Sequence, residues 1–339
     1  MIIKKKSYPR AGLIGNPSDG YFGKTIAFTF KNFCAEVVLY ESPELEIIPH
    51  SRDHSRFRSV GALADDVQLF GYYGGIRLLK ATIKTFHDYC KRSGISLHNR
   101  NFTLRYSSDI PNLVGLAGSS AIITACMRAL MAFYGITIPK PDLANIILSV
   151  ETDELNISAG LQDRVAQTYQ GLVYMDFNEA LMKKQGYGDY VELDPKLLPD
   201  IFIAYRTELA EVSGVFHRGL KHRFIDHDPD VLSAIDAWIG MTDDLRQSLE
   251  NGNMAKIGNI MNDNFDKRTE LGGVNDGNME LVSVARSVGA SAKLTGSGGA
   301  IIGVYRDGQM LKNLKKACNP LNIKVIIPEI ATAIGEEVL

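Results

Sequence analysis

Short apolar stretches separated by turn residues dominate the first half of the chain. Runs rich in β-branched and aromatic residues, bounded by turn formers, predict strands at 9–15, 26–30, 34–42, 45–49, 102–111 and 171–177. Apolar residues at helical spacing predict helices at 63–92, 119–134 and 141–155. Gly135 follows the second of these helices, and Pro141 begins the third in the first-turn position that proline tolerates.

The second half of the chain begins after a polar, turn-rich stretch at 178–199, which predicts a boundary between two domains, 1–180 and 195–339. Strands are predicted at 201–206, 300–306 and 324–330. Helices are predicted near 211–223, 229–250, 253–268, 278–289 and 309–319. Strands and helices mix without strict alternation, which indicates an α+β fold.

Composition changes this picture little. The 339 residues are 45% hydrophobic and 22% charged, with a formal net charge of -2, so no global field favours nucleic acid or an anionic membrane surface. No apolar run is long enough for a membrane span. The four cysteines are widely separated, which disfavours a zinc site or a disulfide framework and suggests thiols in a reducing cytoplasm.

Three glycine-rich stretches are candidates for parts of a functional site. In "GLAGSSA", 115–121, glycines and serines precede a helix, where unpaired backbone N–H groups and the helix dipole favour an anion such as phosphate. A serine N-cap behind a glycine turn is the alternative interpretation. "TGSGGA", 295–300, is by itself typical of a flexible turn, and Asp19 in "GNPSDGYFGKT" is by itself typical of an Asx turn.

Taken together and in this order, "PRAGLIG" with Asp19, "GLAGSSA" and "KLTGSGGA" resemble the three signature segments of the GHMP kinases. "GYYGGIRLL", "GLQDRVAQ" and "SGVFHRGLKHRF" make the chain most similar to the glucuronokinase branch, whose members phosphorylate the anomeric hydroxyl of glucuronate. The resemblance implies a two-domain α+β fold of mixed sheets and helices. It also implies an active site in the cleft between the domains and a ferredoxin-like C-terminal domain.

The resemblance implies ATP and Mg²⁺ as cofactors. The family pattern places the ATP phosphates on a loop that matches Pro111, Gly115, Leu116, Ala117, Gly118, Ser119, Ser120 and Ala121. The Mg²⁺ ligands match Ser120 and Glu151. Glu154, one turn further on, is the alternative carboxylate, because this segment is one residue longer than in some relatives.

Asp163 matches the family's catalytic base, and Arg10 matches its basic partner. A helix-start cap is the alternative role for Asp163. The segments that match the substrate pocket contain Asp19, Tyr72, Tyr73, Gly296, Ser297 and Gly298. A uronate would also need a cation for its carboxylate. Four candidates remain open: Arg164, Arg206, Arg268 and Lys293.

The expected function is therefore ATP-dependent phosphorylation of a small sugar or sugar acid, most specifically D-glucuronate, to the sugar 1-phosphate. A heptose phosphate or a mevalonate-type substrate is an alternative, and so is a non-catalytic regulator that binds sugar and ATP on the same fold. The expected partner is a small molecule, with no nucleic acid and no membrane, and the enzyme is expected to be a monomer or homodimer.

Overall fold

The structure is a computed structural model that describes residues 1–49, 74–207 and 214–331. The chain forms two compact units that alternate along the sequence. Unit 1 contains Met1–Tyr8, Phe33–Ile110 and Gly118–Ala159; unit 2 contains Pro9–Asn32, Pro111–Ala117 and Gly160–Leu339. The division at 178–199 predicted from the sequence assumes contiguous domains and stays a prediction.

Unit 1 has one mixed sheet. Its strands are β1 (Ile2–Ser7), β4 (Ala35–Ser42), β5 (Glu46–Ile48) and β6 (Asn101–Ser108). The order is β1-β4-β6-β5, with β5 parallel to β6 and the other pairs antiparallel. Its described helices are α1 (Gly75–Arg92), α2 (Gly118–Tyr134) and α3 (Lys140–Ser149), and α3 continues into a π-helical turn at Val150–Glu154.

The core of unit 1 forms where α1 and α2 cover the sheet. Val37, Leu39 and Leu104 from the strands contact a cluster that includes Leu79 and Ile123 from the helices, and each of these side chains is buried. Helix α2 consists mainly of small and aliphatic residues. It therefore packs both on α1 and on strands β1 and β4. The N-terminus of α2, which contains two serines of the predicted phosphate loop, is thereby fixed within unit 1.

Unit 2 has two antiparallel sheets. The first has the order β2-β3-β7-β8, from β2 (Arg10–Ile14), β3 (Lys24–Thr29), β7 (Leu172–Asp176) and β8 (Asp189–Leu193). The second has the order β10-β11-β9-β12, from β9 (Ile201–Tyr205), β10 (Lys293–Leu294), β11 (Ala300–Val304) and β12 (Lys324–Ile326).

Unit 2 contains seven described helices. They are α4 (Leu161–Tyr169), α5 (Glu179–Gln185), α6 (Gly214–Ile225), α7 (Pro229–Glu250), α8 (Met254–Glu270), α9 (Asp276–Ser287) and α10 (Gly308–Cys318). Helix α4 packs on β3 and β7, while α8, α9 and α10 pack around the second sheet. Strand β2 and the first turn of α4 lie in this unit, so the unit positions both Arg10 and Asp163.

The α+β class and the mixed helices and sheets are confirmed, whereas several local predictions are incomplete. Strand β1 is missing from the predicted set, because three consecutive lysines hide the alternation of its buried positions. The stretch 178–199 is not only turns: it contains α5 and β8, neither of which presents a fully buried side chain to reveal it. The third predicted helix changes from α to π geometry at Val150.

Among the described helices, none has the length and apolar character needed to cross a membrane. The four cysteines, Cys34, Cys90, Cys126 and Cys318, are all described and are thiols. Burial raises the pKa of the Cys126 thiol to about 12, so this residue is an inert part of the unit 1 core.

Candidate active site

The two predicted catalytic residues contact each other in unit 2. Arg10 begins β2 and Asp163 lies in the first turn of α4. Arg10 Nε donates to Asp163 Oδ1 at 2.8 Å, and Arg10 Nη2 donates to the same oxygen. Arg10 is only 5% exposed, so this charge-assisted pair fixes the carboxylate in one orientation. Their proximity is a structural fact, whereas their catalytic role stays a prediction.

Arg10 also connects this carboxylate to two of the glycine-rich segments. Its Nη1 donates to the carbonyl oxygens of Gly115, at 3.2 Å, and Thr295, at 2.7 Å. Its backbone N–H donates to the Leu116 carbonyl at 3.1 Å. One buried side chain therefore joins β2, α4, the predicted phosphate loop and the 295–300 loop within unit 2.

Asp19 lies beside this pair, in the 3-10 turn Ser18–Tyr21. Its Oδ2 accepts a hydrogen bond of 3.3 Å from the backbone N–H of Gln162, the residue before Asp163. A Cβ at Gly160 would collide with this carboxylate, so the glycine makes room for it. Burial and then the negative charge of Asp163 raise the pKa of Asp19 to about 6, against smaller opposing effects from Gln162, Arg10 and Arg164.

Arg164 adds a second cation at the same place. It is 4% exposed, and its Nη1 donates to the Gly160 carbonyl at 2.8 Å and lies 3.4 Å from Asp163 Oδ2. Burial and the neighbouring Arg10 lower the pKa of Arg164 to about 9. Arg10, Asp19, Asp163 and Arg164 are called the Arg–Asp cluster below. Two cations and two carboxylates give it a balanced charge that suits a polar, hydroxyl-bearing substrate.

The predicted substrate loop at 295–300 is held by the buried guanidinium group of Arg268, and Lys293 lies just before it. Arg268 Nη1 donates to the Gly296 carbonyl at 2.8 Å, and its Nη2 donates to the Ser297 carbonyl at 3.0 Å. Lys293 Nζ donates to the carbonyl oxygens of Leu294, at 2.8 Å, and Gly12, at 3.0 Å. The loop is therefore not the flexible turn that its glycines suggest, because Arg268 and Arg10 donate to its carbonyl groups.

The predicted phosphate loop, 111–117, has an unusual backbone. Leu113, Gly115 and Ala117 have positive φ angles of 55°, 66° and 61°. Left-handed residues at alternate positions turn successive N–H groups towards a concave face, the arrangement that binds anions. The Ala117 carbonyl accepts a hydrogen bond of 2.9 Å from Gln167 Nε2, which fixes the end of the loop to α4. Pro111 begins this segment of unit 2.

The remaining residues of the predicted loop begin α2 in unit 1, where a candidate metal pair is found. Ser119 Oγ donates to Glu151 Oε1 at 2.8 Å, and Glu151 is 2% exposed. Ser120, the serine that the family pattern selects, is fully buried, and its carbonyl accepts Thr124 Oγ1 at 2.7 Å. The structure thus joins Ser119 to Glu151 by a hydrogen bond.

Glu151 and the alternative carboxylate, Glu154, both lie on the π-helical turn Val150–Glu154. A π-helical turn accommodates an additional residue and recurs at functional sites, which is consistent with the longer segment noted in the sequence. Glu154 is 31% exposed in its side chain and accepts a 2.7 Å salt bridge from Lys84 Nζ. The buried carboxylate next to the phosphate-loop serine is therefore Glu151, and it is the better candidate for a metal ligand.

The other predicted residues fall into two groups. Tyr72 and Tyr73 lie outside the described residues. Arg206 forms an ion pair of 2.8 Å with Glu280, Arg268 holds the 295–300 loop, and Lys293 donates to the carbonyl oxygens of Gly12 and Leu294. Like Arg164, these three candidate cations therefore have partners within the protein. The sequence analysis does not identify Gln167, which fixes the end of the phosphate loop, or Gly160, which makes room for the Asp19 carboxylate. Neither position has a local sequence pattern that indicates a distant partner.

Two family models and several known proteins are similar to this chain. Residues 77–171 match the GHMP kinases N terminal domain and residues 245–334 match the GHMP kinases C terminal domain. The chain is 42% identical to Glucuronokinase 1 of Arabidopsis thaliana over 323 residues, which is 93% of this chain and 89% of that protein.

A shorter similarity links the chain to D-glycero-alpha-D-manno-heptose 7-phosphate kinase of Campylobacter jejuni, with 30% identity over 77 residues, 23% of each protein. The crystal structure of Methanococcus jannaschii mevalonate kinase superposes with a TM-score of 0.71 at 19% identity and covers 98% of both chains, which shows a shared fold. Together with the matching N- and C-terminal domains, the 42% identity over nearly the whole length shows that this chain belongs to the GHMP kinase family.

Proposed function

We propose that this GHMP kinase transfers the γ-phosphoryl group of ATP to the anomeric hydroxyl of D-glucuronate and forms the sugar 1-phosphate. The observation that supports a kinase site most directly is the Arg10–Asp163 pair, which lies at the family's catalytic positions and beside a third charged residue, Asp19. The similarity to a glucuronokinase over 93% of the chain supports the choice of sugar.

Phosphoryl transfer requires charge neutralisation and positioning more than covalent help from the protein. In the proposed reaction Asp163, oriented by Arg10, accepts a hydrogen bond from the hydroxyl that is phosphorylated. The backbone N–H groups that follow Pro111, at 112–121, bind the phosphates of ATP, with Ser119 and Ser120 at the start of α2. Asp19 and the 296–298 loop bind the sugar, and a carboxylate suits vicinal diols because it accepts several hydrogen bonds.

We propose Mg²⁺ as the metal. The donors available at the Ser119–Glu151 pair are a hydroxyl and a carboxylate, which are the hard oxygen ligands that this ion prefers. The described residues contain no group of three or more His, Cys, Asp or Glu side chains suited to a metal. A site with few protein ligands fits Mg²⁺, which usually keeps its waters and is shared with substrate phosphates. When bound, the ion would neutralise phosphate charge.

The uronate carboxylate distinguishes this substrate from neutral sugars. The cation that binds it is one of the four candidates given above. Arg164 is the candidate that lies within the Arg–Asp cluster. A neutral sugar would leave this buried cation without a carboxylate partner. The rate with such an analogue is then lower than with the uronate by as much as ~10⁴-fold. We therefore expect glucose to be a poor substrate. Galacturonate, which keeps the carboxylate and inverts one hydroxyl, should react at an intermediate rate.

The test is product analysis by phosphorus NMR with ATP, Mg²⁺ and each of the sugars glucuronate, galacturonate, glucose and a heptose 7-phosphate. An anomeric phosphate formed with glucuronate, and much more slowly with glucose, is the expected result. Equal rates with glucose and glucuronate would contradict the proposed substrate. Transfer only to the heptose phosphate would favour the alternative that the 77-residue similarity suggests. Sugar and ATP binding without any transfer would indicate a regulator.

We also propose a cytoplasmic location, since the four cysteines are thiols and a reducing compartment keeps them so. A monomer or a homodimer is compatible with this function.

A further inference from the structure

The 295–300 loop, called the glycine loop below, has two consecutive carbonyl groups that accept hydrogen bonds from one guanidinium group. Arg268, on α8, donates from Nη1 to the Gly296 carbonyl at 2.8 Å and from Nη2 to the Ser297 carbonyl at 3.0 Å. Arg268 is only 3% exposed, so it acts from behind the loop and is not itself open to a ligand. All of these residues belong to unit 2.

The N–H groups of the same two peptide units point the other way. A peptide group is planar and trans, so its N–H is directed opposite to its C=O. The N–H groups of Ser297 and Gly298 therefore point away from Arg268. Because one cation polarises both carbonyl groups, both N–H groups become stronger donors, with the positive ends of their dipoles on the side of the loop opposite to the guanidinium group.

No acceptor for these two N–H groups is found among the described residues. Elsewhere in the glycine loop the backbone donors are paired: the Thr295 N–H donates to the Ala300 carbonyl at 3.1 Å, and the Gly299 N–H donates to Asn278 Oδ1 at 2.8 Å. Gly298 is buried, where an N–H group without an acceptor is costly. An acceptor atom of a bound ligand would remove this cost.

A glycine of the predicted phosphate loop keeps side-chain atoms away from these donors. A Cβ at Gly115 would lie 3.0 Å from Ser297 N and 3.2 Å from Gly298 N. Ser297 is partly exposed, so the loop can be reached from outside at this residue. A Cβ at Gly296 would lie 2.9 Å from Nη1 of Arg10, which places the glycine loop against the Arg–Asp cluster.

Two neighbouring N–H donors with a cation behind them suit an anionic group that has two oxygens. The proposed substrate has such a group in its carboxylate. The four candidate side chains for that carboxylate already have partners within the protein. Backbone donors without a described acceptor are therefore better placed to bind it than any of these side chains.

Given the proposed function, on which this step rests, we infer that the N–H groups of Ser297 and Gly298 bind the carboxylate of the sugar acid, and that Arg268 positions them. Arg268 is then the candidate cation that selects the uronate, and it acts through two peptide groups rather than by direct contact. A neutral sugar leaves both N–H groups without an acceptor, which lowers its rate relative to the uronate.

The first test observes the two N–H groups in the wild-type protein, by proton–nitrogen correlation NMR with isotope-labelled glycine and serine. Saturating D-glucuronate should move the amide proton signals of Ser297 and Gly298 downfield, because each proton enters a charge-assisted hydrogen bond. D-glucose should not move them. Unchanged signals with bound glucuronate would overturn the inference. So would signals that move with a non-hydrolysable ATP analogue but not with glucuronate, since the bound anion would then be a phosphate.

The second test compares kcat/KM for glucuronate with kcat/KM for glucose. Arg268→Gln should lower this ratio by roughly 10- to 10²-fold, as for loss of a hydrogen bond to a charged group. Arg268→Lys keeps the charge but cannot hold two carbonyl groups with a fork, so its ratio should be intermediate. Lys267→Gln is the matched control on α8, since Lys267 is partly exposed and paired with Glu270 at 2.6 Å. It should keep the wild-type ratio.

The ratio separates specificity from folding, because a loosened or partly unfolded variant loses activity with both sugars. If Arg268→Gln lowers both values equally, Arg268 only stabilises the loop and the inference is wrong. Ser297→Ala removes the hydroxyl but keeps the N–H, so a collapsed ratio there would also contradict it. A collapse in Arg164→Lys but not in Arg268→Gln would assign the carboxylate to Arg164. A wild type that phosphorylates glucose as fast as glucuronate would refute the proposed substrate itself.

Discussion

Glu151 and Glu154 lie on the same π-helical turn, but their carboxylates have different surroundings. Glu151 is buried and accepts the hydroxyl of Ser119, whereas Glu154 is partly exposed and paired with Lys84. Exposed ion pairs of the second kind contribute little to stability. A buried carboxylate beside a hydroxyl, in contrast, has a cost that a bound cation would offset. The two residues thus form a matched pair for testing the metal site.

Glu151→Gln removes one negative charge at nearly constant size. We expect turnover at saturating ATP to fall by roughly 10²-fold, as for loss of one electrostatic contact to a developing charge. The Mg²⁺ concentration for half-maximal rate should rise. Glu154→Gln should leave both quantities near those of the wild type. Steady-state kinetics across a Mg²⁺ titration measure both, and the reverse ranking of the variants would assign the metal to Glu154.

At the scale of elements, local signals predict some features fully. Helix α7 spans Pro229–Glu250, the predicted bounds, because Asp228 caps it and Pro229 occupies its first turn. Strand β10 has two residues and no pattern to detect, and the π-helical turn looks like a plain helix in sequence. The Arg10–Asp163 contact followed from the family resemblance. The contact of Asp19 with the start of α4 is purely tertiary, so no local sequence signal marks it.

Gly115 and Gly135 allow the phosphate loop to be tested against a plain helix end. Their φ angles are nearly equal, +66° and +68°, but a Cβ at Gly115 would approach Gly298 O to 2.9 Å and Ser297 N to 3.0 Å, while one at Gly135 meets nothing within 4 Å. Each alanine variant should lose roughly 1–2 kcal/mol of unfolding free energy from the left-handed backbone.

Gly115→Ala should lose more than this, because backbone atoms of the 295–300 loop must also move. Its affinity for ATP, measured by calorimetry, should fall at least about tenfold, since the loop N–H groups are displaced. Gly135→Ala should keep the wild-type affinity. If both variants bind ATP normally, the 111–117 loop is only a turn.

At the scale of the whole molecule, neither compact unit corresponds to one continuous stretch of chain. The first sheet of unit 2 takes β2 and β3 from residues 9–32 and β7 and β8 from beyond residue 160. Strand β3 lies in the middle of that sheet and pairs with both β2 and β7. A fragment that begins at residue 160 would therefore lack half of this sheet, including one of its central strands.

We expect residues 160–339 expressed alone to lack a cooperative thermal transition, because β7 would lose its partner and leave an unpaired edge. Co-expression with residues 1–159 supplies β2 and β3 and should restore the transition. Circular dichroism during heating measures both samples. A cooperative, monomeric fragment of 160–339 would show that the β2–β3 hairpin is dispensable for the stability of unit 2.

The same interleaving of segments has a consequence for synthesis on the ribosome. All segments of unit 1 have been made by residue 159, so its core can close early. The β2–β3 hairpin, made before residue 30, must wait about 140 residues for β7. At about 5–20 residues per second this delay is roughly 7–30 s. A two-stranded hairpin is marginal in water. The residues of β2 and β3 that are buried in the folded protein thus stay accessible to chaperones until the second half of the chain emerges.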